Sequence, residues 1–190
     1  MPSPFASELA NIARSLHDKF HLQDEGDPPL AAEIRRFWEE LGFTFPGVEE
    51  PWSAVFVSSC VFRAGATSSE FRFAPLHATF VREAIKNADA STGVFRGRPL
   101  SARSPAVGDI IQNNRGGATF DFKFARTHGE YPSHSAIVVE RGHDASGEFA
   151  LTIGGNEGDS IRRKKVRLSS DGFVIQKSPN PFICIIENLK

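Results

Sequence analysis

Apolar residues recur at two different periods along the chain, and the change of period separates a helical half from a sheet half. Ser3 and Pro4 open a helix in which Phe5, Leu9, Ile12, Ala13 and Leu16 share one face, and a polar stretch with Gly26 and Pro28-Pro29 ends it. A second helix is predicted from about Leu30, with Ile34, Phe37, Trp38 and Leu41 on one side and Gly42 as its stop. The segment PWSAVFVSSCVFRAGA, residues 51–66, is apolar nearly all round at Val55, Phe56, Val57, Val61 and Phe62. Its β-branched residues permit a strand, but Pro51-Trp52-Ser53 as a start and Gly65 as a stop favour a buried helix. A fourth helix runs from about Pro75 through His77, Phe80, Val81 and Ile85.

Beyond residue 105 the pattern shortens. VGDIIQNN, SHSAIVVERG, EFALTIGGN, SIRRKKVRLS, GFVIQKS and FICIIENL are β-rich runs separated by turn residues. Their lengths suit an antiparallel meander rather than alternating βαβ units. The stretch from Gly116 to Pro132 is a long, partly aromatic connection. The expected fold class is therefore α+β, with N-terminal helices packed on a C-terminal antiparallel β-sheet. One domain is expected over residues 1–190, made of an N-terminal helical part, 1–50, and a core, 51–190, that carries the chemistry.

Composition narrows the function classes. The 190 residues carry a formal net charge of -1, which provides no global attraction to nucleic acid or to an anionic membrane. No run approaches the roughly 18 apolar residues that a membrane span needs. The first twenty residues contain no apolar h-region behind a basic start, so the reading is a protein that is cytoplasmic as made. Action elsewhere would require a signal-peptide-independent route. Two cysteines, Cys60 and Cys184, allow at most one bridge and suit a reducing compartment.

Three residues acquire chemical meaning from their place on these elements. Ser53 stands at the start of a buried helix, where unpaired amides and the helix dipole favour an oxyanion. His134 opens an apolar strand, and a histidine at a sheet edge can face a helix packed on that sheet. Asn156 follows the next strand and two glycines, and an asparagine there can orient an imidazole, as in Cys-His-Asn sites. Each also has a plain structural role: helix cap, strand-end histidine and turn residue. Glu157 and Asp159 compete with Asn156 for the orienting role.

The order of nucleophile on a helix start, histidine on a strand and polar orienter after the adjacent strand is papain-like. PWSAVFVSSCVFRAGA resembles the nucleophile helix of the CHAP family of cysteine-, histidine-dependent amidohydrolases/peptidases, which reads like W-C-A-x-F-V. PAVGDII, residues 105–111, resembles the P-x-x-G-D-[LI] segment of that CHAP/NlpC-type superfamily. SHSAIVVE resembles its histidine strand, and TIGGN its strand ending in G-N. The chain looks like a branch in which W-S-A replaces W-C-A. The resemblance implies an amide-bond hydrolase acting on peptidoglycan or a peptide, with Ser53 as nucleophile, His134 as base and Asn156 as orienter. Some members of this type act as toxins or lysins, a use that would add an immunity or carrier protein as partner. A serine must lose its proton during attack, whereas a cysteine is already nucleophilic, so an inactive, CHAP-like domain that binds a peptide, glycan or partner protein is the alternative.

Among the remaining candidates, Trp52, His77 and Tyr131 are placed to border the substrate. Cys60 lies seven residues after Ser53, about 10 Å along the helix, too far to replace it beside one histidine. Arg115 with Gly116-Gly117 offers a contact to a substrate carboxylate or, more plainly, a solvated loop. Asp109 reads as a turn residue, and Arg162-Arg163-Lys164-Lys165 as an exposed strand face. His17 and His21 have helical i, i+4 spacing but no third ligand near them, and no metal or cofactor is expected.

Overall fold

The computed structural model describes residues 1–190. Ser3 caps the first helix, α1 (Pro4–Phe20), by accepting the Ala6 N–H at 3.1 Å, and Pro4 occupies the first turn, where its missing donor costs nothing. Helix α2 (Pro28–Glu39) begins two residues before Leu30, because both prolines are tolerated in its first turn. The 51–66 segment is helical, as α3 (Ser53–Arg63), and the histidine of PLHATF starts α4 (His77–Asp89). α3 has no exposed stripe: Val55, Phe56, Val57, Cys60 and Val61 are fully buried, so its β-branched content reflects burial rather than a strand.

The sheet contains β1 (Phe95–Arg98), β2 (Ile110–Asn114), β3 (Ser133–Asp144), β4 (Gly147–Gly154), β5 (Arg162–Arg167) and β6 (Phe182–Asn188). All pairings are antiparallel, in the order β1-β6-β2-β3-β4-β5. The architecture is α+β, with most helices ahead of the strands. Two elements escape the sequence pattern. β1 is four residues long, too short to show alternation. α5 (Phe122–Thr127) is a helix of six residues, capped by Asp121, in the long connection before β3. One predicted strand is absent: GFVIQKS makes a single bridge, Leu168 to Val174. Its Phe173 and Ile175 remain exposed, and the segment leaves the sheet to reach β6.

The sheet has two faces with different cover. Ile110, Ile137, Val139, Ile153, Cys184 and Ile186 join the helices in a core of 34 buried residues. The alternate residues Ile111, Val138, Ala150, Val166, Phe182 and Ile185, with Leu168 and Val174, form a smaller cluster of 8 on the other face. No helix is long and apolar enough to cross a membrane. Asp109 behaves as a turn ligand: its carboxylate accepts the Ala106 and Asn188 amides and pairs with Arg103. Arg162 to Lys165 do form an exposed strand face.

Candidate functional site

Ser53 is the first residue of α3, and Trp52, not Ser53, is its N-cap. The first intrahelical bond runs from the Phe56 N–H to the Trp52 carbonyl, so the amides of Ser53, Ala54 and Val55 have no intrahelical acceptor. The Ser53 hydroxyl meets an imidazole, but that imidazole belongs to His77: Oγ lies 2.7 Å from His77 Nε2. The start of α3 thus faces the start of α4. Both residues are almost wholly enclosed, Ser53 at 3% exposure and His77 at 6%. Burial, and then the charges of His134 and Arg115, hold the His77 pKa well below the usual histidine range, so its ring is neutral near pH 7. Its Nδ1 is buried without a partner.

His134 packs edge-on against His77, with ring centroids 5.3 Å apart. Its own hydrogen bond goes to Glu157, with Nε2 2.7 Å from Oε1. Burial pushes the Glu157 carboxyl up, but the His134 hydrogen bond and the Lys164 ammonium outweigh it, and the pKa falls below the usual value. An ionised Glu157 can only accept, so His134 donates to it through Nε2–H and leaves Nδ1 as the nitrogen that can exchange a proton. Gly154 makes this pair fit. A Cβ there would stand 2.5 Å from Glu157 Oε1 and 2.8 Å from His134 Nε2. Gly155 serves the other side, where a Cβ would stand 2.6 Å from the Trp52 ring and 2.7 Å from Phe56. The two adjacent glycines let α3 and the His134–Glu157 pair close on the end of β4.

Asn156 does not orient His134. Its φ of 54° lies in the left-handed region, which asparagine tolerates. Its Nδ2 donates to Glu25 Oε2 at 3.0 Å, and the same oxygen accepts the Trp52 indole N–H at 2.8 Å. Asn156 and Glu25 therefore tether the start of α3 to the end of β4, and Glu157 takes the orienting position. Trp52 is fully buried, its ring tilted against Phe37, so it borders no substrate and instead anchors the helix start. Tyr131 donates to Gln112 and packs on Phe120 and Phe124, away from His134. Cys60 and Cys184 are both free and buried, and burial drives the Cys60 thiol upward, away from a thiolate. His17 and His21 stack on each other, and no three metal-ligating side chains converge anywhere.

An open cleft of about 360 Å³ lies beside this cluster on the sheet face opposite the main core. Ile111 and Asn113 of β2, His134 and Ala136 of β3, Thr152 of β4 and Lys164 of β5 line it in strand alternation. Asn156 and Glu157 close one end; Ser53 and His77 are not on its wall. His134 and Glu157 are the members of the cluster that the cleft reaches. Sequence reasoning placed Glu157 among the competing orienters and His77 at the start of α4, but it did not find Glu25. That residue sits in the polar stretch between α1 and α2, where no local signal marks a carboxylate as a tether.

The cluster combines a hydroxyl at a helix start, a neutral imidazole that holds it and a second imidazole polarised by a carboxylate. No curated protein and no solved structure matches the chain. Residues 20–183, most of its length, match the model of the family described as an uncharacterized protein conserved in bacteria (DUF2272), and the chain belongs to that family.

Proposed function

We propose that this protein is an amide-bond hydrolase acting on a peptide-like bond, with bacterial peptidoglycan as the substrate class that the CHAP-like motifs suggest. The observation that carries this reading is the Ser53, His77, His134, Glu157 cluster, with hydrogen bonds of 2.7 Å at each end and the two imidazoles packed edge-on between them. A general base must hold a positive charge after taking the proton. His77 is poorly suited, because it is enclosed and has no carboxylate beside it. His134 is suited, because an imidazolium there would face Glu157, a charge-assisted contact of about 1.5–3 kcal/mol.

The roles follow. His77 Nε2–H donates to Ser53 Oγ and orients the hydroxyl; this tautomer leaves the enclosed Nδ1 as a lone pair rather than as an orphan N–H. His134 Nδ1 takes the Ser53 proton as Oγ bonds to the carbonyl carbon. The first amides of α3 stabilise the oxyanion. The C–N bond then breaks, and His134 returns the proton to the leaving amine. Water hydrolyses the acyl-serine, with His134 again as base.

The second reading, a binding module without turnover, draws on the enclosure of Ser53 and its position off the cleft wall. Digestion of purified sacculi, followed by mass spectrometry of the released fragments, separates the two. Wild type should release new amino termini. Ser53→Ala should release none, Ser53→Cys should retain activity, and Glu157→Gln should slow release about 10²–10⁴-fold. A folded wild type and a folded Ser53→Cys that both release nothing would exclude the hydrolase.

A further inference from the structure

The cleft beside His134 has an unbalanced charge. Arg115, Lys164, Lys165 and Lys177 face it, and Glu157 is its one carboxylate. Glu157 is already engaged by His134 and Lys164, and Lys165 pairs with Asp144 at 2.7 Å outside the cleft. Arg115 and Lys177 have no ion-pair partner. In a chain whose formal net charge is -1, this excess is local, not a consequence of bulk composition.

Both unpaired cations lie close to the site. The Arg115 charge reaches His77, and that of Lys177 interacts with Lys164 and Glu157. The Lys177 ammonium stands 4.6 Å from the Phe182 ring centroid, so the side chain is laid along the cleft wall although the residue as a whole is exposed. Asn180 accepts the Gly117 N–H through its Oδ1, which leaves its amide NH₂ as a neutral donor on the same wall. Phe182 is the only Phe, Tyr or Trp in the lining and Lys177 occupies its face, while the His134 ring is packed on His77 and tied to Glu157. A groove for single-stranded nucleic acid would need open stacking platforms, and this one has none. About 360 Å³ suits a short peptide.

We propose that this cleft binds a carboxylate of the peptide substrate between Arg115 and Lys177, beside the bond presented to His134. The inference names the substrate class of the proposed hydrolase and rests on that reading for its catalytic meaning. The anion sits where two cations lack counter-charges, so binding neutralises the cleft instead of competing with an internal pair.

The test uses full-length Ser53→Ala protein and fluorescence anisotropy with two labelled peptides. One is Ala-Glu-Lys-Ala with a free carboxyl terminus; the other is Ala-Gln-Lys-Ala amide, which has no carboxylate. The acidic peptide should bind at least about tenfold more tightly, and high salt should weaken it. Lys177→Ala and Arg115→Ala, with unchanged thermal midpoints, should each erase most of the preference. Lys165→Ala should keep it. Equal affinities, no binding of either peptide, a preference surviving in both variants, or inorganic phosphate binding without the peptides would each overturn the assignment. The two proposals fail separately. Selective binding without turnover by the Ser53 protein keeps the carboxylate site and removes the hydrolase. Turnover of both peptides with equal kcat/KM does the reverse.

Discussion

Adding one methyl group at either of two neighbouring glycines should produce two different defects. Gly155→Ala puts a Cβ 2.6 Å from the Trp52 ring and 2.7 Å from Phe56 Cβ, against an ordinary carbon contact of about 3.5–4.0 Å. The overlap is about 1 Å. Trp52 and Phe56 are fully buried, so they cannot swing aside, and α3 must move. Overpacking of this kind costs about 1–3 kcal/mol, and the lower chain entropy of alanine returns about 0.4–1 kcal/mol. Neither glycine has positive φ, so no backbone strain is added. Because neither buried side chain can yield, the cost falls in the upper part of that range, about 2–3 kcal/mol, and the net loss is about 1–2.6 kcal/mol, a fall of roughly 2–10 °C in Tm for a chain of this size. Gly154→Ala instead meets the tips of Glu157 and His134, which can part at the expense of their hydrogen bond. Its defect should appear in hydrolysis rate more than in Tm. Thermal unfolding followed by circular dichroism, beside the sacculus assay, reads both. A Gly155→Ala protein melting within about 1 °C of wild type would refute the claim that this glycine sets the spacing of α3 from β4.

Two further outcomes follow from the same contacts. The folded-state pKa of His77 is depressed, so the unfolded chain binds the proton first as pH falls. Stability is intact above the unfolded value near 6.5 and declines below it, by at most about 1.4 kcal/mol per pH unit, until the folded ring titrates. The urea midpoint of His77→Gln should therefore fall less than that of wild type between about pH 6.5 and 5. Glu25→Ala leaves the buried Trp52 indole N–H without its acceptor and should cost about 1–3 kcal/mol in urea unfolding, whereas Glu25→Gln should recover most of it.

α1, α2 and α4 were legible because their apolar residues recur with a period that only a helix places on one face; α3, apolar nearly all round, was read from its Pro51 start and Gly65 stop, and α5 is too short to show a period. α1 also carries its start signal, Ser3-Pro4, whereas Pro28-Pro29, which reads as a break after α1, forms the first turn of α2. The strands β2, β3, β4 and β6 were legible as short apolar runs between turns. GFVIQKS has the same local character and is not a strand, because a ladder needs a partner edge and this segment finds one bridge only. The site was half legible. Ser53 at a helix start and His134 at a strand start follow from element boundaries, which are local properties.

The pattern of residues along this chain determined that four helices precede an antiparallel sheet, and the two places, a helix start and a strand start, where chemistry could collect. Only the tertiary structure decided which groups meet there. Ser53 and His77 are 24 residues apart, His134 and Glu157 are 23 apart, and Asn156 and Glu25 are 131 apart. No periodicity encodes such pairings. Of two adjacent residues, Asn156, at a left-handed φ, gives its amide to Glu25, and Glu157 brings its carboxylate to the imidazole.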